Sequence, residues 1–356
     1  MKVSHSMIKY ISLVLFLCSL LQANSEVPDI YQTASDLART VLQADAVSLY
    51  PLRGGARAQV FKAYHTCVIR YMNKNNTLER CEREITIAQY AAEKGFGPRI
   101  LYADAQSGVM VMESLDILRA PCLLFDTQEW NRQIGHTVHL LHQAPLQSTY
   151  AETIFDRYRR VFSTGLPKGI ETLVSVDFFN KCLDECDTLF PSSPGGYVCS
   201  HDDLHAGNFL YTSQGFRIID YEFIANNSPY VDLAFVAVDN SSNYENDNAL
   251  LEGYFGRTPT KYEKACLSIL KHVLLLCRGL VDLSYRPQEL IKRYIDNNES
   301  ARYLSMAYKH GDFDIVNNEN LTRRALMLVR EALWYFESDN YVLDKNTISL
   351  QSSVVA

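Results

Sequence analysis

Residues 200–223 read SHDDLHAGNFLYTSQGFRIIDYEF, with four acidic side chains, two histidines and an asparagine set among apolar runs. Asp203 and Asn208 have the spacing D-x-x-x-x-N, and His201 stands two before the aspartate. The stretches FLYT and FRIID, joined by SQG, have the pattern of a hairpin. That hairpin would return Asp220 to the side of the first loop. A carboxylate, an amide oxygen and a second carboxylate brought together suit one chemistry well. Asp203 would accept the proton of a hydroxyl and aim its oxygen. Asn208 and Asp220 would hold magnesium, which takes hard oxygen ligands, bridges phosphate oxygens and offsets developing charge. Glu222 reads either as a further metal contact or as a structural acceptor. His201 is expected to hold the loop, and His205 carries no assigned role. Asp202 is six before Asn208, out of register for the base, and is expected to be a solvated or capping side chain.

The elements that must position these groups follow from periodicity. Residues 30–44 have helical apolar spacing. VSLYPL, VFKAYH and TCVIRYM then read as strands, with RGGARAQ a glycine turn after the first. Residues 76–94 form a strong amphipathic helix closed by Gly95 and Pro98. RILYADA and GVMVMESL read as two more strands. The expected fold class is therefore α+β, with a small mixed β-sheet lobe followed by a larger, mainly helical lobe. Helices are expected over 127–144, 151–164, 171–189, 230–240, 245–255, 260–284, 287–308 and 318–337. The segment boundaries read as 1–25, 26–115 and 116–342, with a flexible tail at 343–356.

The chain has 356 residues, 47% of them hydrophobic, with a net charge of −7. That is enough apolar material for one large or two modest cores. An acidic chain lacks the basic face of a sequence-independent nucleic-acid binder, so no nucleic-acid partner is expected. Lys2 and Lys9 precede an apolar run from Tyr10 to Leu21, and Ala23 and Ser25 follow as small cleavage-site residues. This is the layout of a secretory signal peptide, with an uncleaved membrane anchor through residues 10–21 or a misplaced start as the other readings. Nine cysteines occur, and Cys67, Cys199, Cys266 and Cys277 sit in apolar or periodic stretches. They are expected to be reduced core residues in preference to disulfides or zinc ligands.

Taken together, HDDLHAGN and IIDYEF resemble the aminoglycoside phosphotransferase and choline kinase group, which shares the protein-kinase fold. The acidic residue two after Asp220, and Asp232 in SPYVDLA, are more like choline, ethanolamine and thiamine kinases than like protein kinases. RGGARAQVFKA resembles the group's nucleotide loop, in which Gly54 and Gly55 would let backbone approach phosphates. Arg70 in CVIRYM stands where protein kinases place their phosphate-pairing lysine, and Glu84 is its natural partner. Glu113 to Leu115 would face adenine. The helix with His139 and His142 resembles the group's first large-lobe helix. The resemblance covers roughly residues 50–240. It implies a two-lobed protein-kinase-like fold, ATP and Mg2+ as cofactors, and transfer of phosphate to a small-molecule hydroxyl. A cationic alcohol, choline or ethanolamine, is the first expectation. Tyr197, Tyr221, Tyr230, Tyr244, Tyr254 and Trp334 are candidates for an aromatic cage around it. Thiamine comes second and an aminoglycoside third. A catalytically inactive binding protein and a protein kinase are the readings from other classes. A signal peptide would deliver the chain to a compartment without ATP. A cytoplasm-facing anchor, a misplaced start, or export to a place that holds ATP would each resolve that conflict.

Overall fold

The structure, a computed structural model, describes residues 27–45, 47–52, 58–63, 66–118, 127–145, 153–190, 196–239, 244–295 and 317–355. The signal-like segment, Gly54 and Gly55 lie outside the described residues. The chain divides into two compact units. The first takes the described residues through Leu118 together with Phe209–Ile224; the second takes the rest.

In the first unit, helix α1 (Val27–Leu42) precedes strands β1 (Leu49–Leu52), β2 (Gln59–Ala63) and β3 (Cys67–Tyr71). Helix α2 (Leu78–Glu93) follows, then β4 (Ile100–Asp104) and β5 (Val109–Glu113). The five strands form one antiparallel sheet in the order β1-β2-β3-β5-β4. Ala34 and Ala38 of α1 pack with Leu49, Phe61, Cys67, Ile69, Val109 and Val111 into the core on one side. Side chains alternate along a strand, so Arg70 leaves the sheet on the face opposite Ile69. The sequence sets α2 firmly: Thr77 caps it by accepting from the Arg80 N–H, and Glu79 sits in its first turn. Cys81, Ile85, Ile87, Ala88 and Ala91 give it a buried stripe, which also carries Glu84. Gly95, at φ +76°, ends it in a conformation that favours glycine. Later in the chain the expected hairpin forms from β7 (Phe209–Thr212) and β8 (Gly215–Ile218), paired Phe209 to Ile218. It belongs to this first unit, not to the helical one, and its Ile218 N–H bonds to the Phe96 carbonyl.

The second unit is mainly helical. It contains α3 (Gln128–His142), α4 (Ile154–Val161), α5 (Val176–Leu189), the short antiparallel pair β6 (Val198–Ser200) and β9 (Ala225–Asn227), and α6 (Pro229–Asp239). Helices α7 (Tyr244–Phe255), α8 (Lys261–Ser284), α9 (Gln288–Ile295), α10 (Asn318–Phe336) and α11 (Asp339–Val355) complete it. Helix α6 is buried along nearly its whole length, Tyr230 through Val238, as a helix apolar on almost every side must be. One carboxylate, Asp232, is buried in its first turn. Helices α3 and α7 cross at backbone contact. A Cβ on Gly135 would meet the Leu250 carbonyl, and one on Gly253 would meet that of Arg132. The expectation of a frayed tail from Leu343 is corrected. That segment lies in α11, which packs on α8 and buries Ile348, while Val342, Leu343 and Leu350 stay exposed. Seven cysteines among the described residues are free and buried. No helix among the described residues is long and apolar enough to cross a membrane.

Candidate functional site

In the second unit, residues 201–208 form a loop after β6 that ends in a short 3-10 turn, Ala206–Asn208. Asp232 anchors its start. Its Oδ2 accepts the His201 N–H at 2.7 Å and its Oδ1 accepts the Asp202 N–H at 2.9 Å. His142 Nε2 lies 2.9 Å from the same Oδ2, and His142 Nδ1 lies 2.9 Å from the Tyr254 hydroxyl. Burial alone would raise the Asp232 carboxyl, but His142 and the backbone donors hold it below the usual range. Asp239 anchors the loop's end: Oδ2 accepts the Ala206 N–H at 2.6 Å and Oδ1 accepts from Arg278 at 2.8 Å.

Between these anchors the chain turns on itself. The Asp203 carbonyl accepts the His205 N–H at 2.8 Å and the Asn208 side-chain N–H at 2.8 Å. The second bond fixes the Asn208 amide, so its oxygen remains the group that can meet a cation. The Asp203 side chain is 36% exposed, with Oδ2 3.9 Å from His205 Nε2. His201 is buried and held through its backbone, as a loop-fixing residue should be. Asp202 corrects the expectation of a solvated or capping side chain. It is 1% exposed, because Ser200, Asn227 and Arg157 surround its carboxylate with donors.

In the first unit, Arg70 meets three carboxylates. Its Nε donates to Glu84 at 2.9 Å and its Nη2 to Asp220 at 2.5 Å, and Glu222 lies 3.6 Å away. Burial works against the Arg70 cation, but these carboxylates raise its pKa above the ordinary value. Glu84 is shifted up, first by burial and further by Asp220, against the pull of Arg70. Asp220 sits at φ +69°, where the chain leaves β8 for the 3-10 turn Tyr221–Phe223. Arg80, one helical turn before Glu84, holds that turn. Its Nη2 and Nε donate to the Glu222 carbonyl at 2.9 and 3.2 Å, and its guanidinium lies over Phe223. One guanidinium among three carboxylates leaves an excess of negative oxygen, the kind of ligand magnesium takes. The described residues contain no group of three His, Cys, Asp or Glu arranged to hold a metal alone. Magnesium bound through one or two carboxylates plus phosphates needs none.

The structure thus groups Arg70 with Glu84, Asp220 and Glu222 in one unit, and Asp203 with Asn208 in the other. Glu113 ends β5 and turns its carboxylate to the Arg99 N–H at 2.8 Å; Leu115 follows, half-buried. Of the aromatic candidates, Tyr221, Tyr230 and Tyr254 are core residues. Tyr244 and Trp334 are exposed, and Lys264 lies over the Tyr244 ring.

Residues 48–265, more than half of the chain, match the phosphotransferase enzyme family, APH. The chain belongs to that family. It is a small-molecule kinase, and several solved structures share its fold. A choline/ethanolamine kinase family protein from Mesorhizobium loti is 20% identical, with a TM-score of 0.63 over 91% of this chain and 99% of that one. An ethanolamine kinase from Plasmodium vivax is 14% identical, with a TM-score of 0.59 over 96% of each chain. A choline kinase from Cryptosporidium parvum is 13% identical, with a TM-score of 0.58 over 92% of this chain and all of that one. No curated protein sequence matches this chain.

For this phosphotransferase, sequence reasoning missed Arg80, Arg157, Asp239 and the burial of Asp202. Asp232 was visible as the lone charge inside PYVDLAFVAV, an apolar run that allows a carboxylate only if it is bonded. Arg80 is four before Glu84, so both lie on one helix face. Arg157 and Asp239 had no local signal, since their partners are distant in sequence.

Proposed function

We propose that this phosphotransferase moves the γ-phosphoryl group of ATP to the hydroxyl of choline or ethanolamine. The observation that carries the reading is the contrast within the loop. Asp203 keeps an accessible carboxylate, while the N–H of the preceding Asp202 is held by Asp232 and the backbone carbonyl of Asp203 by the Asn208 amide. Such a carboxylate can take a hydroxyl proton as that oxygen attacks phosphorus. The new P–O bond forms as the bond to the bridging oxygen breaks, and ADP leaves. Arg70, oriented by Glu84, is assigned to the ATP phosphates. Asp220, Glu222 and the Asn208 oxygen are the groups that would hold Mg2+, which supplies charge neutralisation at the phosphates. Gly54 and Gly55 are assigned to the phosphate loop, and Glu113 to Leu115 to the adenine edge.

The acceptor assignment is supported by the choline and ethanolamine kinases among the neighbours. A cationic alcohol also matches the carboxylates assigned to this chemistry. A spectinomycin phosphotransferase with bound ADP and spectinomycin also shares the fold, at 16% identity and a TM-score of 0.50 over 83% of this chain and 98% of that one. That neighbour supports ATP as the donor and keeps an aminoglycoside as the second reading. Magnesium-dependent ADP release by residues 26–356 tests the assignment, with choline, ethanolamine, thiamine and kanamycin offered separately. Release stimulated by choline or ethanolamine and lost in Asp203→Ala is expected. Stimulation by kanamycin alone would replace the first reading with the second. Binding of ATP with no turnover of any acceptor would overturn the choice of acceptor.

A further inference from the structure

Asp202 stands immediately before the carboxylate assigned to catalysis. Its backbone is at φ +62°, a region that residues with a Cβ seldom occupy and that Asp and Asn tolerate best. Every polar group it has is bonded. Ser200 Oγ donates to Oδ1 at 2.6 Å. Asn227 Nδ2 donates to Oδ2 at 2.7 Å, and Arg157 Nη2 donates to Oδ2 at 3.1 Å. Arg157 Nη1 donates to the Asp202 backbone carbonyl at 3.0 Å. The N–H goes to Asp232. That carbonyl belongs to the peptide joining Asp202 to Asp203, so Arg157 grips the peptide that carries the Asp203 carboxylate.

We propose that Asp202 and Arg157 are positioning residues for Asp203, forming a clamp from α4 that fixes the Asp202–Asp203 peptide while the Asp202 carboxylate is ionised. The proposal rests on the reading of Asp203 as the acceptor of the hydroxyl proton.

The charged and titratable groups around the clamp set its dependence on pH. Arg157 faces Asp202 from α4 and Asp232 from α6, and His142 of α3 backs Asp232. Ser200 of β6 and Asn227 of β9 complete the ring. A proton on Asp202 has one place to sit. Oδ2 meets an amide N–H and a guanidinium, which only donate. Oδ1 meets a hydroxyl, which can reverse and accept. Protonation therefore keeps the Ser200 bond but leaves Arg157 against a neutral group, and the clamp loses its charge-assisted contact. Burial pushes this carboxyl up to about 7, opposed by Arg157 and aided by Asp232. The change thus falls near neutrality.

The test is the pH profile of kcat for the wild type, Asp202→Asn and Arg157→Gln. The wild type should lose kcat on the acid side with an apparent pKa near 7. Asp202→Asn, isosteric with the protonated form, should have kcat about tenfold lower above neutrality, an unchanged KM for ATP, and no acid limb. Arg157→Gln removes the contact that protonation of Asp202 would weaken, so its kcat should be low on both sides of neutrality and its acid limb flattened. Wild-type kcat with an intact acid limb in Asp202→Asn would overturn the proposal. Backbone hydrogen exchange of residues 199–209 provides a readout that does not need turnover. Asp202→Asn and Arg157→Gln should speed exchange there, and Asp203→Ala should not. Unchanged exchange in the two clamp variants would refute the clamp even if no acceptor were turned over. Faster exchange together with an inactive wild type would instead strike the chemistry assigned to Asp203.

Discussion

Replacing Arg70 by methionine should destabilise the first unit severely. Arg70 is 7% exposed and Glu84 2%, and they bond at 2.9 Å. Methionine fills much of the space but leaves Glu84 buried without its cation. Removing one member of a buried pair costs about 3–5 kcal/mol, while replacing both by apolar groups is often neutral. Asp220 and Glu222 lose the same partner, but Asp220 keeps 25% of its side chain exposed, and water recovers part of that loss. The expected drop in melting temperature is on the order of 10 °C. The Glu84 carboxyl already sits above its ordinary pKa, and loss of Arg70 drives it higher. Folding then takes up a proton, so stability falls as pH rises through the window between the unfolded and folded values. The defect should be larger near pH 8 than near pH 5.5. Arg70→Met/Glu84→Leu should recover most of the loss. Calorimetry of the three proteins at both pH values is the assay. An Arg70→Met protein that melts with the wild type, or a double variant no better than the single, would refute the assignment of Glu84 as a carboxylate held by Arg70.

Further outcomes follow from the loop and the helices. Asp203→Ala should cut kcat by about 10²–10⁴ with at most a small change in melting temperature, because the backbone carbonyl that holds the turn is retained. Asp232→Ala should cost about 3–5 kcal/mol in denaturant unfolding, since it orphans the His201 and Asp202 N–H groups and leaves His142 without its carboxylate. Gly253→Ala should lower the melting temperature by several degrees, as its Cβ would push α7 off the Arg132 carbonyl of α3. Asp220→Asn should raise the magnesium concentration needed for half-maximal turnover, read by titration at fixed ATP.

Much of this was legible in the sequence because it is local. The Thr77 cap and Gly95 stop bracket α2, and strict alternation in CVIRY puts Arg70 and Ile69 on opposite faces. The pairing of Arg70 with Glu84 followed from resemblance and stands in the structure. What was not legible depends on distant partners. Asp202 looks like any loop aspartate until Arg157, forty-five residues earlier, and Asn227, twenty-five later, are seen to enclose it. The assignment of β7 and β8 to the first unit was equally hidden, because their pattern specifies a hairpin but not what it packs against. The helix over Asp339–Val355 was missed because its polar residues conceal a single buried contact, Ile348.

The most direct test of the central claim is to identify the phosphorylated product. Mass spectrometry of choline and ethanolamine, each incubated with ATP, magnesium and the protein, would detect the acceptor carrying one added phosphoryl group. The account predicts that product with the wild type and none with Asp203→Ala. Product formed equally by both proteins would contradict the role given to Asp203. ADP released with no phosphorylated acceptor would contradict the assignment of choline or ethanolamine.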